Sequence, residues 1–338
     1  NAKAAALLAD RDFPTELGIT ALLGQIHAEL GEFDQAVNAF ARLVRARPDN
    51  VSARRQLGRS EWQAGRIEAA RNSYAMALGI PEGSKSNVLA DLVRMESEQG
   101  EFERALGYAL ELQKSYPNIS VGNESLGDLY RGASRARDSI PYYQAALEQE
   151  STTQGWFGLY QAYVDLDEYE NALGVVREWL AATDQDPQVR SVLANTYLTF
   201  GDYEDAAREF ESIADDYQSD PAFLNNLAYA YHRIGDNRAA SVAERAYTAL
   251  PESAQTSDTL GWILVDTGQD VRRGLLLLQN AADTEPNDPE ILYHLGVALA
   301  ENGRDGESLR YLRRALQLAD DFSGADRARE LISELDQS

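Results

Sequence analysis

The chain has no cysteine, which excludes disulfides, thiolate metal sites and cysteine nucleophiles. Lysine is nearly missing too: Lys3, Lys85 and Lys114 are its only examples, so the other basic residues are arginines. Basic residues are themselves scarce, 31 against 55 acidic ones, for a formal charge of −24. A chain so short of positive charge lacks the basic footprint that duplex nucleic acid requires, and no nucleic-acid partner is expected. An acidic, lysine-poor surface fits a salt-adapted or high-GC source, a cationic partner, or solubility alone. Long apolar runs are also missing. The richest is the four leucines at 275–278, far short of the roughly 20 residues a membrane helix needs. Neither an initiating methionine nor a signal peptide stands before NAKAAALLAD, so the sequence reads as a fragment or a mature product.

What the chain does have is periodicity. A length of 338 residues would by itself suggest about two domains. Internal repetition overrides that expectation. LGQIHAELG (23–31), LGRSEWQAG (57–65), LGWILVDTG (260–268) and LGVALAENG (295–303) each carry two glycines seven apart in an otherwise helical pattern. Helical glycine costs roughly 0.5–1 kcal/mol relative to alanine, so its return at fixed spacing demands a reason. Aligning these stretches gives a period of about 34 residues, with units starting at 17, 51, 86, 120, 153, 187, 221, 254 and 289. Within each unit an apolar residue precedes a small one, as in Leu23-Gly24, Leu126-Gly127 and Leu193-Ala194. About twelve residues later comes another small residue (Ala36, Ala70, Ala105, Ala172, Ala206, Ala240), often followed by an aromatic or apolar residue such as Phe40, Tyr74, Tyr143, Phe210 or Leu312.

Apolar spacing of three and four makes every unit two amphipathic helices. The first small residue allows the facing helix to approach. The second glycine (Gly31, Gly65, Gly100, Gly201, Gly235, Gly268, Gly303) ends the first helix in a left-handed turn. Acidic residues just after it suit the N-terminus of the following helix. Unit four departs from this pattern, with Ser134 at the turn and Ser139 at the small position, and unit eight carries an extra residue in QDVRRG (269–274).

These motifs resemble the tetratricopeptide repeat over residues 17–322. The resemblance implies an all-α fold, a right-handed superhelical solenoid of about nine antiparallel helix pairs plus a capping helix. Residues 1–16 are expected to be the second helix of a truncated preceding repeat. Residues 323–338 are expected to form the cap, with Ala328, Leu331, Ile332 and Leu335 on its buried face and a natural C-terminus close by.

No catalytic constellation, metal set or cofactor motif is legible, and no enzyme activity or cofactor is expected. His27, His232 and His294 fall in different units without an i, i+4 partner, so they read as packed or groove-lining residues. The repeat resemblance instead implies function on the wall of first helices, at the second, fifth, ninth, twelfth and thirteenth positions. In the N-terminal half these are Arg55, Arg59, Trp62, Arg94 and Arg131. Their arrangement loosely resembles the basic clamp that some family members use on peptide carboxylates, although the clamp's asparagine is missing. The alternative is internal pairing with Glu98, Glu124 and Asp128. In the C-terminal half the positions are Asn195, Asn225, Tyr229, His232, Trp262 and Tyr293, suited to a peptide backbone, a sugar face or simple packing. Trp156, Tyr197, Tyr203 and Phe210 are expected in the core.

Residues 221–322 are also similar to the C-terminal repeats of bacterial envelope lipoproteins, most closely that of the exosortase (PEP-CTERM) system, through PAFLNNLAYAYHRIGD, RGLLLLQNAA and PNDPEILYHLGVALAENGR. That likeness implies a periplasmic or outer-membrane-associated scaffold for exopolysaccharide export. Protein or peptide partners are expected in the groove. A cationic or neutral polysaccharide and a co-chaperone-like peptide are the alternatives.

Overall fold

The computed structural model describes residues 16–81 and 83–337. The expected truncated helix before residue 16 lies outside them. Among the described residues there are nineteen α-helices and no strand. Helices α1 (Leu17–Glu29) and α2 (Phe33–Ala46) form the first pair, α3 (Val51–Gln63) and α4 (Ile67–Leu78) the second. Then come α5 (Ser86–Glu98) with α6 (Phe102–Ser115), α7 (Val121–Gly132) with α8 (Ala136–Gln149), and α9 (Thr153–Val164) with α10 (Tyr169–Ala182). The series continues with α11 (Pro187–Phe200) and α12 (Tyr203–Ser212), and with α13 (Pro221–Arg233) and α14 (Ala239–Ala249). Helices α15 (Ala254–Asp266), α16 (Val271–Thr284), α17 (Pro289–Glu301), α18 (Asp305–Leu318) and α19 (Ala325–Leu335) complete it.

The helices fall into two compact units, one ending at Val175 and the other beginning at Val176. Inside each, a first helix packs on its own second helix and on the next pair, so first helices run side by side as a wall. Close packing explains the first glycines. A Cβ on Gly24 would lie 2.7 Å from Phe40, and one on Gly127 would lie 2.6 Å from Tyr143. Tyr143 is gripped on both sides, since a Cβ on Gly158 of the following first helix would lie 2.2 Å from its ring.

The second glycines make the turn. Gly31 has φ +73°, and in unit four Ser134 holds the same left-handed conformation at +58°, with Asp167 at +56° in unit five. Six of the nine first helices start on side-chain caps: Asn50, Thr152, Asp186, Asp220, Ser253 and Asp288 each accept from a backbone N–H of the opening turn. Three of these caps precede a proline, Pro187, Pro221 or Pro289, whose missing N–H is not needed at that position. Where second helices lack such a cap, Asp34, Glu103, Glu204 and Asp305 place negative charge in the first turn instead.

Two sequence expectations shift. In unit seven Ala239 and Ala243 are buried and Ala240 is only partly so, because α14 packs one residue earlier than the repeat phase implies. The core takes Tyr197 and Phe210, but Trp156 and Tyr203 are half-buried. The Trp156 indole N–H donates to Ser151 Oγ at 2.9 Å, which holds that ring at the edge of the core. At the C-terminal end, Ala328 and Leu331 of α19 cover Val297 and Leu312.

Candidate functional site

In the first unit, α3 and α5 divide the predicted arginines between two roles. Arg55 reaches across to Asp91, with Nε–Oδ2 at 2.6 Å and Nη2–Oδ1 at 3.1 Å. Asp91 is 3% exposed, so this bidentate pair ties the two first helices together. Arg59 and Arg94 make no hydrogen bond or ion pair among the described residues. They line one cavity of about 650 Å³ together with Trp62, Ile67, Glu98 and Gln99. Arg59 also borders a neighbouring cavity of about 440 Å³ toward α1. Arg131 belongs to a separate network: its Nη1 lies 3.3 Å from Asp165 Oδ2.

A residue that the repeat pattern puts after the second small position packs behind this wall. Tyr74, on α4, is fully buried against Gly58. Its hydroxyl has no hydrogen-bond partner among the described residues. Burial pushes the Tyr74 phenol well above its ordinary range; Asp91 adds to the effect, while Arg55, Arg59 and Arg94 oppose it. Those four charged residues all belong to α3 and α5. Tyr143 behaves in parallel in unit four, where its hydroxyl donates to Asp128 at 2.6 Å. The signal was present in the sequence: both units have tyrosine where Phe40 and Phe210 stand in others.

The second unit satisfies most of its own wall. Asn195 Nδ2 donates to the Ser191 carbonyl at 2.8 Å, and its Oδ1 accepts from Asn226 at 2.7 Å. Tyr229 packs edge-on to Tyr203 at 6.0 Å, and its hydroxyl accepts from Arg233 at 2.8 Å. Trp262 stacks on His294 at 4.8 Å. Tyr293 sits under the chain leading into α19, 5.8 Å from the Phe322 ring and against Gly324. Asn225 is the exception, its Oδ1 being buried without a hydrogen-bond partner among the described residues.

Two histidines here have opposite electrostatics. His294 Nδ1 lies 2.8 Å from Asp258 Oδ2. Burial disfavours charge on His294, but the Asp258 carboxylate outweighs it and raises the imidazole pKa. His232 Nε2 is 3.5 Å from Asp266 Oδ2. There burial dominates, helped by Arg233 and His294, and the pKa falls below the ordinary histidine value. Among the described residues no group of three or more His, Asp or Glu is placed to hold a metal ion. None of their helices is long and apolar enough to cross a membrane.

Comparison with known proteins places the fold. Models of the tetratricopeptide repeat match residues 22–85, 125–187, 187–212 and 207–323. The Protein CTR9 homolog of Arabidopsis thaliana is 23% identical over 301 residues, 82% of this chain, which spans only 26% of that protein. Among solved structures, the hetero-tetramer Cut9–Hcn1 of the APC/C matches 95% of this chain and 76% of its own, at 14% identity and a TM-score of 0.57. A repeat protein from Parabacteroides merdae matches 74% of this chain and 98% of its own, at 17% identity and a TM-score of 0.53.

Proposed function

Because the chain belongs to the tetratricopeptide-repeat family, we propose that it is a non-enzymatic scaffold that binds partner proteins through segments laid along its walls of first helices. The observation that carries this reading is the cavity in which Arg59 and Arg94 stand without partners beside Trp62. In a chain of net charge −24, with acidic residues in excess, two unpaired arginines beside one cavity favour a negatively charged segment. A guanidinium left free can form bidentate, charge-assisted bonds, and a half-exposed tryptophan offers a large apolar face next to them. The similarly folded structure of the Cut9–Hcn1 hetero-tetramer is a protein assembly, which is in keeping with protein partners for this fold.

The setting we propose is the bacterial envelope, periplasmic or outer-membrane-associated, in assembly of an exopolysaccharide export system. Its support is the resemblance to envelope lipoproteins read from the sequence motifs of residues 221–322. Direct polysaccharide binding has less support, because Tyr229, Trp262 and Tyr293 each already have an aromatic neighbour. The test is a pull-down from the envelope fraction with wild type, Arg59→Ala/Arg94→Ala and Tyr229→Ala/Trp262→Ala. A protein lost only with the arginine variant supports the scaffold reading. Loss of glycan with the aromatic variant would replace it by the polysaccharide reading, and equal recovery by all three would sink the wall assignment.

A further inference from the structure

A further cavity in the first unit, of about 720 Å³, opens between the starts of α3 and α5 and takes no part in the scaffold site. Arg47, Asp49, Ser52 and Arg55 line it from one side, Ser84 and Asn87 from the other. The Arg47 guanidinium and the Asn87 amide make no hydrogen bond or ion pair among the described residues. Arg55 spends Nε and Nη2 on Asp91, which leaves its Nη1 unengaged there. Gly83, at φ +92°, lets the turn before α5 close on α3, since a Cβ on it would lie 3.2 Å from Val51. The start of α5 adds donors of its own. Its N-cap residue, Lys85, supplies no side-chain acceptor, and its first turn holds no acidic residue. The opening N–H groups are thus left for an outside acceptor, at the positive end of the helix dipole. Together these donors exceed what the two oxygens of a carboxylate can engage, and they suit the three oxygens of a phosphate monoester. Cavities of about 300–1,000 Å³ hold whole small molecules or side chains, so there is room for the body of the ester as well. Asp49 offers that body an acceptor for a hydroxyl or amide N–H.

We propose that this cavity binds a phosphate monoester, with Arg47 and Arg55 holding the phosphoryl oxygens from α3 and Asn87 donating from α5. The site is separate from the cavity of Arg59 and Arg94, so its failure would leave the scaffold reading standing. Two sources present the same chemistry, a phosphorylated side chain of a partner segment and a free sugar phosphate. The whole chain is therefore titrated at constant ionic strength with two probes. One is a labelled degenerate octapeptide with a central phosphoserine, followed by fluorescence anisotropy. The other is glucose 6-phosphate, followed by calorimetry. Wild type is compared with Arg47→Ala, Asn87→Ala and Arg59→Ala/Arg94→Ala, with the serine peptide and glucose as unphosphorylated controls.

The expected result is that a phosphorylated probe binds wild type and its control does not. Arg47→Ala should bind that probe about tenfold more weakly, the effect of losing one hydrogen bond to a charged group, and Asn87→Ala should weaken it too. The melting temperature of Arg47→Ala should be unchanged, because Arg47 is exposed and holds no other side chain in place. The Arg59→Ala/Arg94→Ala variant should bind as wild type does. Binding of the peptide alone assigns the ester to a partner's side chain, and binding of glucose 6-phosphate assigns it to free esters. Failure of both probes, equal binding by wild type and Arg47→Ala, or loss confined to Arg59→Ala/Arg94→Ala would overturn the site. Displacement of the probe by acetate as readily as by inorganic phosphate would overturn its assignment to a phosphoryl group.

Discussion

Gly158 and Gly107 both sit in regular helix, yet they answer to different demands. A Cβ on Gly158 would meet the Tyr143 ring at 2.2 Å, whereas one on Gly107 would meet nothing within 4 Å. Gly107→Ala should therefore stabilise the protein by about 0.5–1 kcal/mol, the ordinary helix-propensity gain. Gly158→Ala should destabilise it by about 1–3 kcal/mol through overpacking. Urea unfolding of the two variants checks both signs, and a stabilised Gly158→Ala would show that the close approach to Tyr143 is not maintained. At the turns the logic reverses. Ser134 occupies a left-handed conformation that side chains resist, so Ser134→Gly should raise stability by about 1 kcal/mol. The glycine spacing was legible in the sequence because both uses need the same missing atom. The tyrosine at the position of Phe40 was legible too, but the lack of a partner for its hydroxyl among the described residues was not, because that depends on neighbours from other helices.

Between elements, polar ties supplement the apolar packing. Arg55–Asp91 joins α3 to α5, and Arg71 joins α4 to α5 through Glu96 at 2.8 and 2.7 Å. Asp91→Ala should cost about 2 kcal/mol, since it removes a bidentate bond to a charged group. Arg55 lines a separate cavity with Arg47, Asn50 and Asn87, not the one of Arg59 and Arg94, so acidic-peptide affinity should stay unchanged while the melting temperature falls; a fall in both would mean that Asp91 organises the Arg59–Arg94 site. In the second unit the histidines set opposing pH responses. His294 has a raised pKa when folded, so its contribution is fully present below the ordinary histidine value near 6.5 and is lost as pH rises through the folded value. His232 has a lowered one, so its contribution holds above about 6.5 and is lost as pH falls through the folded value. Relative to wild type, His294→Gln should lose stability progressively on acidification from pH 8 to pH 5, and His232→Gln should gain. Chemical denaturation across that range measures both slopes, and identical slopes in the two variants would refute the assignment.

For the whole molecule the dominant electrostatic fact is a charge of −24. Self-repulsion of this size weakens with ionic strength, as the Debye length falls from about 10 Å at 0.1 M to about 3 Å at 1 M. The melting temperature should rise between 20 mM and 1 M sodium chloride, by calorimetry, while binding of an acidic peptide at Arg59 and Arg94 weakens over the same range. A salt-independent melt would mean that surface ion pairs, such as Arg313–Asp336 and Arg304–Glu307, already compensate the excess charge locally.

The sequence by itself determined the helix pairs, their period and the turns, because these rest on local requirements: spacing of apolar residues, a missing Cβ, a caps-and-proline start. It also marked the wall positions as a set. Only the tertiary structure decided which of them are available. Arg55 and Arg59 are one helical turn apart and chemically identical, but Asp91, 36 residues beyond Arg55, captures the first and leaves the second open. Asn195, Tyr229, Trp262 and Tyr293 are likewise engaged by Asn226, Tyr203, His294 and Phe322. Most of these partners come from another helix pair, and pairing across pairs depends on where helices cross, which a repeat pattern read along the chain does not contain.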